Sequence, residues 1–386
     1  MAERQDMLSL LYGGFAFFAV FSATFSSDKT VGGVPAFYLA WAGVVAIRAV
    51  KGIGYKRLEF VAQCLLAMSL LPAFLSAQDD FSFYYNAYLF AVLYINVLFV
   101  LPWLIRQETT PYLAFAGLSA WAVFGLRSIL SGEVRTYIIF GPNVLYRIYA
   151  FLFLLLCISF IACFDRKLVT SVMFWLGLVF LVLGMAATGS KGAVVVLVVL
   201  LIVYGSRALF RKNLKGALGT YAALFSVAYV VSGLFGDYIR TVFGRLLDFS
   251  LATTSAAWRA AALRAAPDFL TNEQGLPWLI GQGPENRYTT FYPHNVLVES
   301  TVYGGFWLLS VNVIALVALA IMLFSKENLS QKSSLILLGV IVGSFFSGSL
   351  LYNYPVFSVG FVALAWLLFS VSQALGTHSG VARPAH

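Results

Sequence analysis

Apolar residues run along the chain in stretches of about twenty, the length of a helix that crosses a bilayer. Such stretches fall near 7–25, 33–50, 58–76, 82–104, 111–130, 144–163, 168–187, 191–208, 216–235, 295–323, 333–350 and 354–375. They predict about twelve transmembrane helices. Between the ninth and tenth, the pattern changes: segment 236–293 carries Arg240, Arg245, Arg259, Arg264 and Arg287 with Asp237, Asp248, Asp268, Glu273 and Glu285. Charges at that density are too costly for hydrocarbon, so the segment is expected to be a long, partly helical aqueous loop. The predicted fold is an all-α polytopic membrane protein forming one transmembrane domain over residues 1–386.

Composition agrees with the pattern: 61% of residues are hydrophobic and 11% charged, where a soluble domain carries about 25% charge. The net charge of +9 would suit a nucleic-acid partner, but its distribution explains it without one. With a cytoplasmic N-terminus, the inward connections hold Arg48, Lys51, Lys56 and Arg57, then Arg106, then Arg166 and Lys167, then Arg207, Arg211, Lys212 and Lys215, then Lys326 and Lys332. The opposite connections hold Asp28 with Lys29, the pair Asp79 and Asp80, and the nearly neutral long loop. Basic residues stay inside, so both termini are expected in the cytoplasm of a bacterial inner membrane and the long loop in the periplasm. Cys64, Cys157 and Cys163 all lie in apolar runs and read as packed thiols. No small-residue cleavage pattern follows the first apolar stretch, which reads as a retained first helix.

A periplasmic site has no nucleotide pool, so an enzyme there must use a donor that is already activated. The run Gly184-Met-Ala-Ala-Thr-Gly189-Ser190-Lys191 breaks the order of a phosphate loop and lacks a preceding strand. Five cations lie toward the outer side: Arg127, Arg135, Arg147, Lys191 and Arg259. Two readings are open for Arg127, Arg135 and Lys191: they reach up to lipid headgroups, or they face a cavity and an anion such as a lipid-borne phosphate. Arg147 sits about a turn inside its helix and is expected to face the cavity. His294 is the one histidine outside the last nine residues and follows the Gly- and Tyr-rich run 281–292. A lone histidine at a helix start is commonly just hydrogen-bonded, yet a neutral imidazole there can also accept a hydroxyl proton. Glu299, five residues on and about 140° round an ideal helix, is given no role beside it. No set of ligand-spaced His, Cys and carboxylate residues accompanies His294, so no metal is expected.

The same residues carry a resemblance. His294-Asn295, nine residues and Gly305 resemble the His-Asn-x9-Gly signature of the O-antigen ligase and O-antigen polymerase family, membrane glycosyltransferases that use undecaprenyl-diphosphate-linked glycans. Arg135-Thr-Tyr-Ile-Ile-Phe-Gly141-Pro142-Asn143 is similar to the family's Arg…Phe-Gly-x-Pro-Asn segment, and Thr188-Gly189-Ser190-Lys191-Gly192 to its Thr-x-Ser-Arg-Gly segment. Trp258-Arg259 and Gly281-Gln-Gly283 fit its long periplasmic loop. Two positions depart: Lys191 stands where the family usually has arginine, and Leu308 where the ligase signature favours Gly, Thr or Tyr.

The resemblance implies a diphosphate held by Lys191, Arg259, Arg135 and Arg287, with His294 as the general base. It implies glycan contacts from Asn143, Asn295 and Tyr292, and neither metal nor cofactor. The partners implied are the lipid-linked donor, a glycan or lipid A-core acceptor, membrane lipids and a chain-length regulator. Leu308 tilts the expectation from ligase toward polymerase. Trp258, Trp278, Tyr288, Tyr292 and Tyr303 read either as sugar-stacking rings or as an interfacial belt. The competing class is a transporter of the same lipid-linked glycan, which would favour interrupted helices paired in two halves.

Overall fold

The computed structural model describes residues 7–22, 30–31, 34–50, 56–76, 81–107, 109–131, 142–163, 168–190, 254–284, 295–324 and 354–378, with single positions 52, 54, 192, 193, 195, 196, 198, 199, 218, 222, 226, 229, 233, 236 and 288. The expected spans near 191–208, 216–235 and 333–350 lie wholly or largely outside these residues.

Within them the protein is almost entirely helical. In chain order the helices are α1 (Met7–Ser22), α2 (Ala36–Val50), α3 (Arg57–Ser76), α4 (Phe81–Ile105), α5 (Thr110–Leu130), α6 (Pro142–Cys163), α7 (Leu168–Thr188), α8 (Thr254–Asn272), α9 (Gly275–Ile280), α10 (Val296–Phe324) and α11 (Tyr354–His378). The exception is a short antiparallel pair, β1 (Thr30–Val31) and β2 (Val34–Pro35), with Thr30 opposite Pro35. Among the described residues, α3, α4, α5 and α10 are long and apolar enough to cross a membrane. Their outward faces match: α3 buries Ala62, Leu66 and Leu70 yet exposes Phe60, Met68, Leu71 and Leu75. A helix apolar on both sides belongs in lipid, and this is the make-up of a membrane protein.

The chain divides into two compact units, one of residues 1–44, 101–258 and 335–347, the other of residues 45–100, 259–334 and 348–386. In the first, α5, α6 and α7 pack on one another. Small residues let them approach: Tyr149 of α6 lies against Gly184 of α7 and Gly125 of α5, and Leu156 lies against Gly177. Tyr149 keeps its hydroxyl satisfied in this apolar setting by donating to the Trp121 carbonyl at 2.7 Å. At the start of α5, Thr110 donates to the Leu104 carbonyl at 2.7 Å, and Pro111 occupies the first turn, where a missing N–H does no harm.

In the second unit, α10 packs with α11, α3 and α9. The residues leading into α3 are clasped by a buried ion pair. The Arg48 guanidinium donates to both Glu59 oxygens at 3.4 Å and to the Gly54 carbonyl at 3.2 Å. Glu59 also accepts the Lys56 backbone N–H at 3.4 Å, half of a capping box at the start of α3. Arg48, read from the sequence as one of the inward-side basic residues, is therefore tied to the fold.

Candidate functional site

The apolar run that predicts a tenth span does not form one straight helix. α10 is interrupted at Gly305, where φ is 66° and ψ is −167°. In an unbroken helix, Ser300 and Asn312 would stand about 18 Å apart along the axis. Instead Asn312 Nδ2 donates to Ser300 Oγ at 2.8 Å, so the short limb 296–304 and the long limb 306–324 fold back toward each other. A break of this kind frees carbonyls from the helical ladder, and they must find other donors.

The segment before His294 supplies them. Gln282 N–H donates to the Val302 carbonyl and Gly283 N–H to the Tyr303 carbonyl, both at 3.1 Å. Tyr84 of α4 adds a hydroxyl donor to the Tyr303 carbonyl at 2.9 Å. The two backbones approach so closely that side chains are excluded. A Cβ at Gly281 would overlap the Tyr303 carbonyl, and one at Gly305 would overlap Gly281 N and the Leu279 carbonyl. Both glycines also have positive φ, 86° and 66°, a conformation open mainly to glycine. The Gly281-Gln-Gly283 run and the glycine of the His-Asn-x9-Gly pattern are thus two halves of one backbone joint.

Asn295 opens the short limb. Its Oδ1 accepts the Leu297 N–H at 2.9 Å and the Val298 N–H at 3.2 Å, and its carbonyl accepts the Glu299 N–H at 3.0 Å. This is an N-cap, so the oxygen of Asn295 already has a structural task. His294, Lys191, Arg135, Arg287 and Tyr292 lie outside the described residues. Arg259 falls on α8 and Asn143 on α6. Arg147 is 5% exposed and so lies buried within its unit.

Of the aromatic residues weighed as sugar platforms, Tyr303 is 3% exposed and packs edge-on against Phe83 at 6.4 Å, so its ring is not available to a sugar. Tyr288 donates to Glu273 Oε1 at 2.6 Å and meets the Phe269 ring edge-on at 5.5 Å. Trp278 stacks on Phe306 at 4.6 Å and donates its indole N–H to the Leu270 carbonyl at 3.3 Å. These contacts tie the segment before His294 to α8 and to the elbow of α10.

The short limb also holds an isolated carboxyl. Glu299 is 0% exposed, and among the described residues neither of its oxygens has a hydrogen-bond partner; Asn312 Oδ1 is likewise unpartnered among them. A buried polar group without a partner costs about 1–3 kcal/mol, and more if charged. This isolation is a property of the folded surroundings and leaves no mark in the residue pattern. For the Asn295 cap, unlike this carboxyl, a sequence signal exists that the resemblance assigns to glycan binding instead: an Asn immediately before an apolar run. Among the described residues, no group of His, Cys, Asp and Glu is placed to hold a metal ion. Neither a family model nor a curated protein sequence matches the chain.

Proposed function

We propose that the protein is a membrane glycosyltransferase of the outward face. In this proposal about twelve helices cross a bacterial inner membrane, both termini are cytoplasmic and segment 236–293 is periplasmic. The reaction transfers a glycan from an undecaprenyl-diphosphate donor to a sugar hydroxyl. His294 accepts the proton of the acceptor hydroxyl as its oxygen bonds to the anomeric carbon. The bond from that carbon to the diphosphate breaks, and the electron pair leaves with the lipid diphosphate. Lys191, Arg259, Arg135 and Arg287 neutralise the departing charge, and loss of one such contact typically costs about 3–4 kcal/mol of transition-state stabilisation.

The observation that carries this reading is the joint between Gly281–Gly283 and Val302–Gly305. It gives the glycine of the His-Asn-x9-Gly pattern a physical reason and ties the asparagine cap to the loop that precedes His294. A polymerase, with a second lipid-linked glycan as acceptor, is favoured over a ligase that uses lipid A-core. Leu308, where the ligase pattern differs, is fully buried, and its side chain lies where a Cβ on Gly304 would go.

The test is release of lipid diphosphate by the purified protein given a lipid-linked glycan. His294→Ala is expected to lower the rate by roughly 10²–10⁴-fold, and unchanged release would overturn the mechanism. Product growth on the lipid-linked glycan alone identifies a polymerase, whereas dependence on added lipid A-core identifies a ligase. Translocation without release identifies a transporter.

A further inference from the structure

Between polar α8 and the bend of α10, the chain changes character abruptly. Thr271, Asn272 and Gln274 are exposed, and α9 then follows as Gly-Leu-Pro-Trp-Leu-Ile without a charge. None of its residues is buried: Leu276 is 64% exposed and Leu279 42%. In water this would leave a short helix of bare hydrocarbon, which a soluble surface seldom carries.

Several polar groups of α9 find partners within the protein, which matters in lipid because lipid offers no donors or acceptors. Pro277 in its first turn has no N–H. The Pro277 carbonyl accepts the Gly281 N–H at 2.9 Å, and the Ile280 carbonyl lies 3.4 Å from the Ser76 hydroxyl, whose one proton it shares with the Ala73 carbonyl at 2.9 Å. The Trp278 indole N–H is turned back to the Leu270 carbonyl.

What covers the face follows from its neighbour. Trp278 stacks on Phe306 at an interplanar angle of 15°, and Phe306 begins an exposed apolar stripe on the long limb, continued by Val313, Ile314, Val317 and Ile321. The i, i+3, i+4 spacing of that stripe marks one helical face, on a helix apolar enough to cross a membrane. We infer that α9 is embedded in the membrane, its Leu276, Pro277 and Leu279 covered by lipid acyl chains in one continuous surface with the long limb of α10. Within the otherwise periplasmic segment α9 therefore dips into the bilayer, and lipid holds the Gly281–Gly283 joint at membrane depth. This inference rests on the fold and not on the proposed reaction.

The test places a nitroxide at single cysteines of the full chain in liposomes, with Cys64, Cys157 and Cys163 replaced by serine. Leu276→Cys and Leu279→Cys are the two test positions, and Asn272→Cys is the aqueous reference. Lipid-soluble oxygen is expected to relax the label at 276 and 279 more than a water-soluble nickel chelate does, by roughly five-fold or more, with the preference reversed at 272, because the bilayer core excludes the chelate. Chelate access at 276 and 279 equal to that at 272 would overturn the inference. So would shielding from both reagents, which would mean that protein covers the face.

Discussion

The α5–α7 bundle of the first unit and the bent α10 region of the second both depend on glycine, for different reasons. In the bundle, the atoms that a Cβ on Gly184 would meet belong to the side chain of Tyr149. At the elbow, the atoms that a Cβ on Gly281 or Gly305 would meet are backbone. A ring can move or be replaced, but a carbonyl held by two donors cannot. The bundle is thus a packing solution with some tolerance, whereas the elbow is a backbone junction with almost none.

Substitutions can break or sharpen this contrast. The largest effect is expected at the clasp of the second unit: Glu59→Ala leaves the Arg48 guanidinium buried without its carboxylate and should cost about 3–5 kcal/mol, read as a fall in Tm. Gly281→Ala should cost about 2–4 kcal/mol through strain and overlap, and no side-chain change elsewhere should recover it. Gly184→Ala should cost about 1–3 kcal/mol and, unlike Gly281→Ala, should be largely rescued by Tyr149→Leu. Equal rescue at both sites would erase the distinction. Tyr84→Phe removes a donor to the Tyr303 carbonyl and should cost about 1 kcal/mol. Glu299→Leu breaks no hydrogen bond among the described residues, so its Tm should hold or rise, because replacing an unpartnered buried polar group with an apolar side chain is neutral or stabilising.

The helical, membrane character was legible in the sequence because lipid imposes a length and an apolarity that any reader of hydropathy can count. The same count hid the elbow: Val296-Leu-Val-Glu-Ser-Thr-Val-Tyr-Gly-Gly-Phe-Trp is as apolar as a straight span, and hydropathy is blind to a backbone dihedral. Only Gly304-Gly305 marked the place, and a glycine pair in an apolar run reads equally well as close helix packing. Asn295 and Gly305 stood out as parts of a residue pattern, but the pattern did not disclose that the second marks a bend. The bend is held by backbone hydrogen bonds from residues some twenty positions earlier, and main-chain pairing of this kind leaves almost no trace in side-chain identity beyond the glycines. The isolation of Glu299 was also hidden, because it depends on which atoms the fold places around it.

The elbow bears on how crossings are counted. At 1.5 Å per residue the stretch 296–304 reaches about 13 Å, less than half a hydrocarbon core, while 306–324 reaches about 28 Å. Only the latter can act as a membrane anchor. A reporter fused just before Gly305 would thus report the side on which the preceding loop lies, and one fused after Phe324 the opposite side, although hydropathy draws both limbs as a single bar.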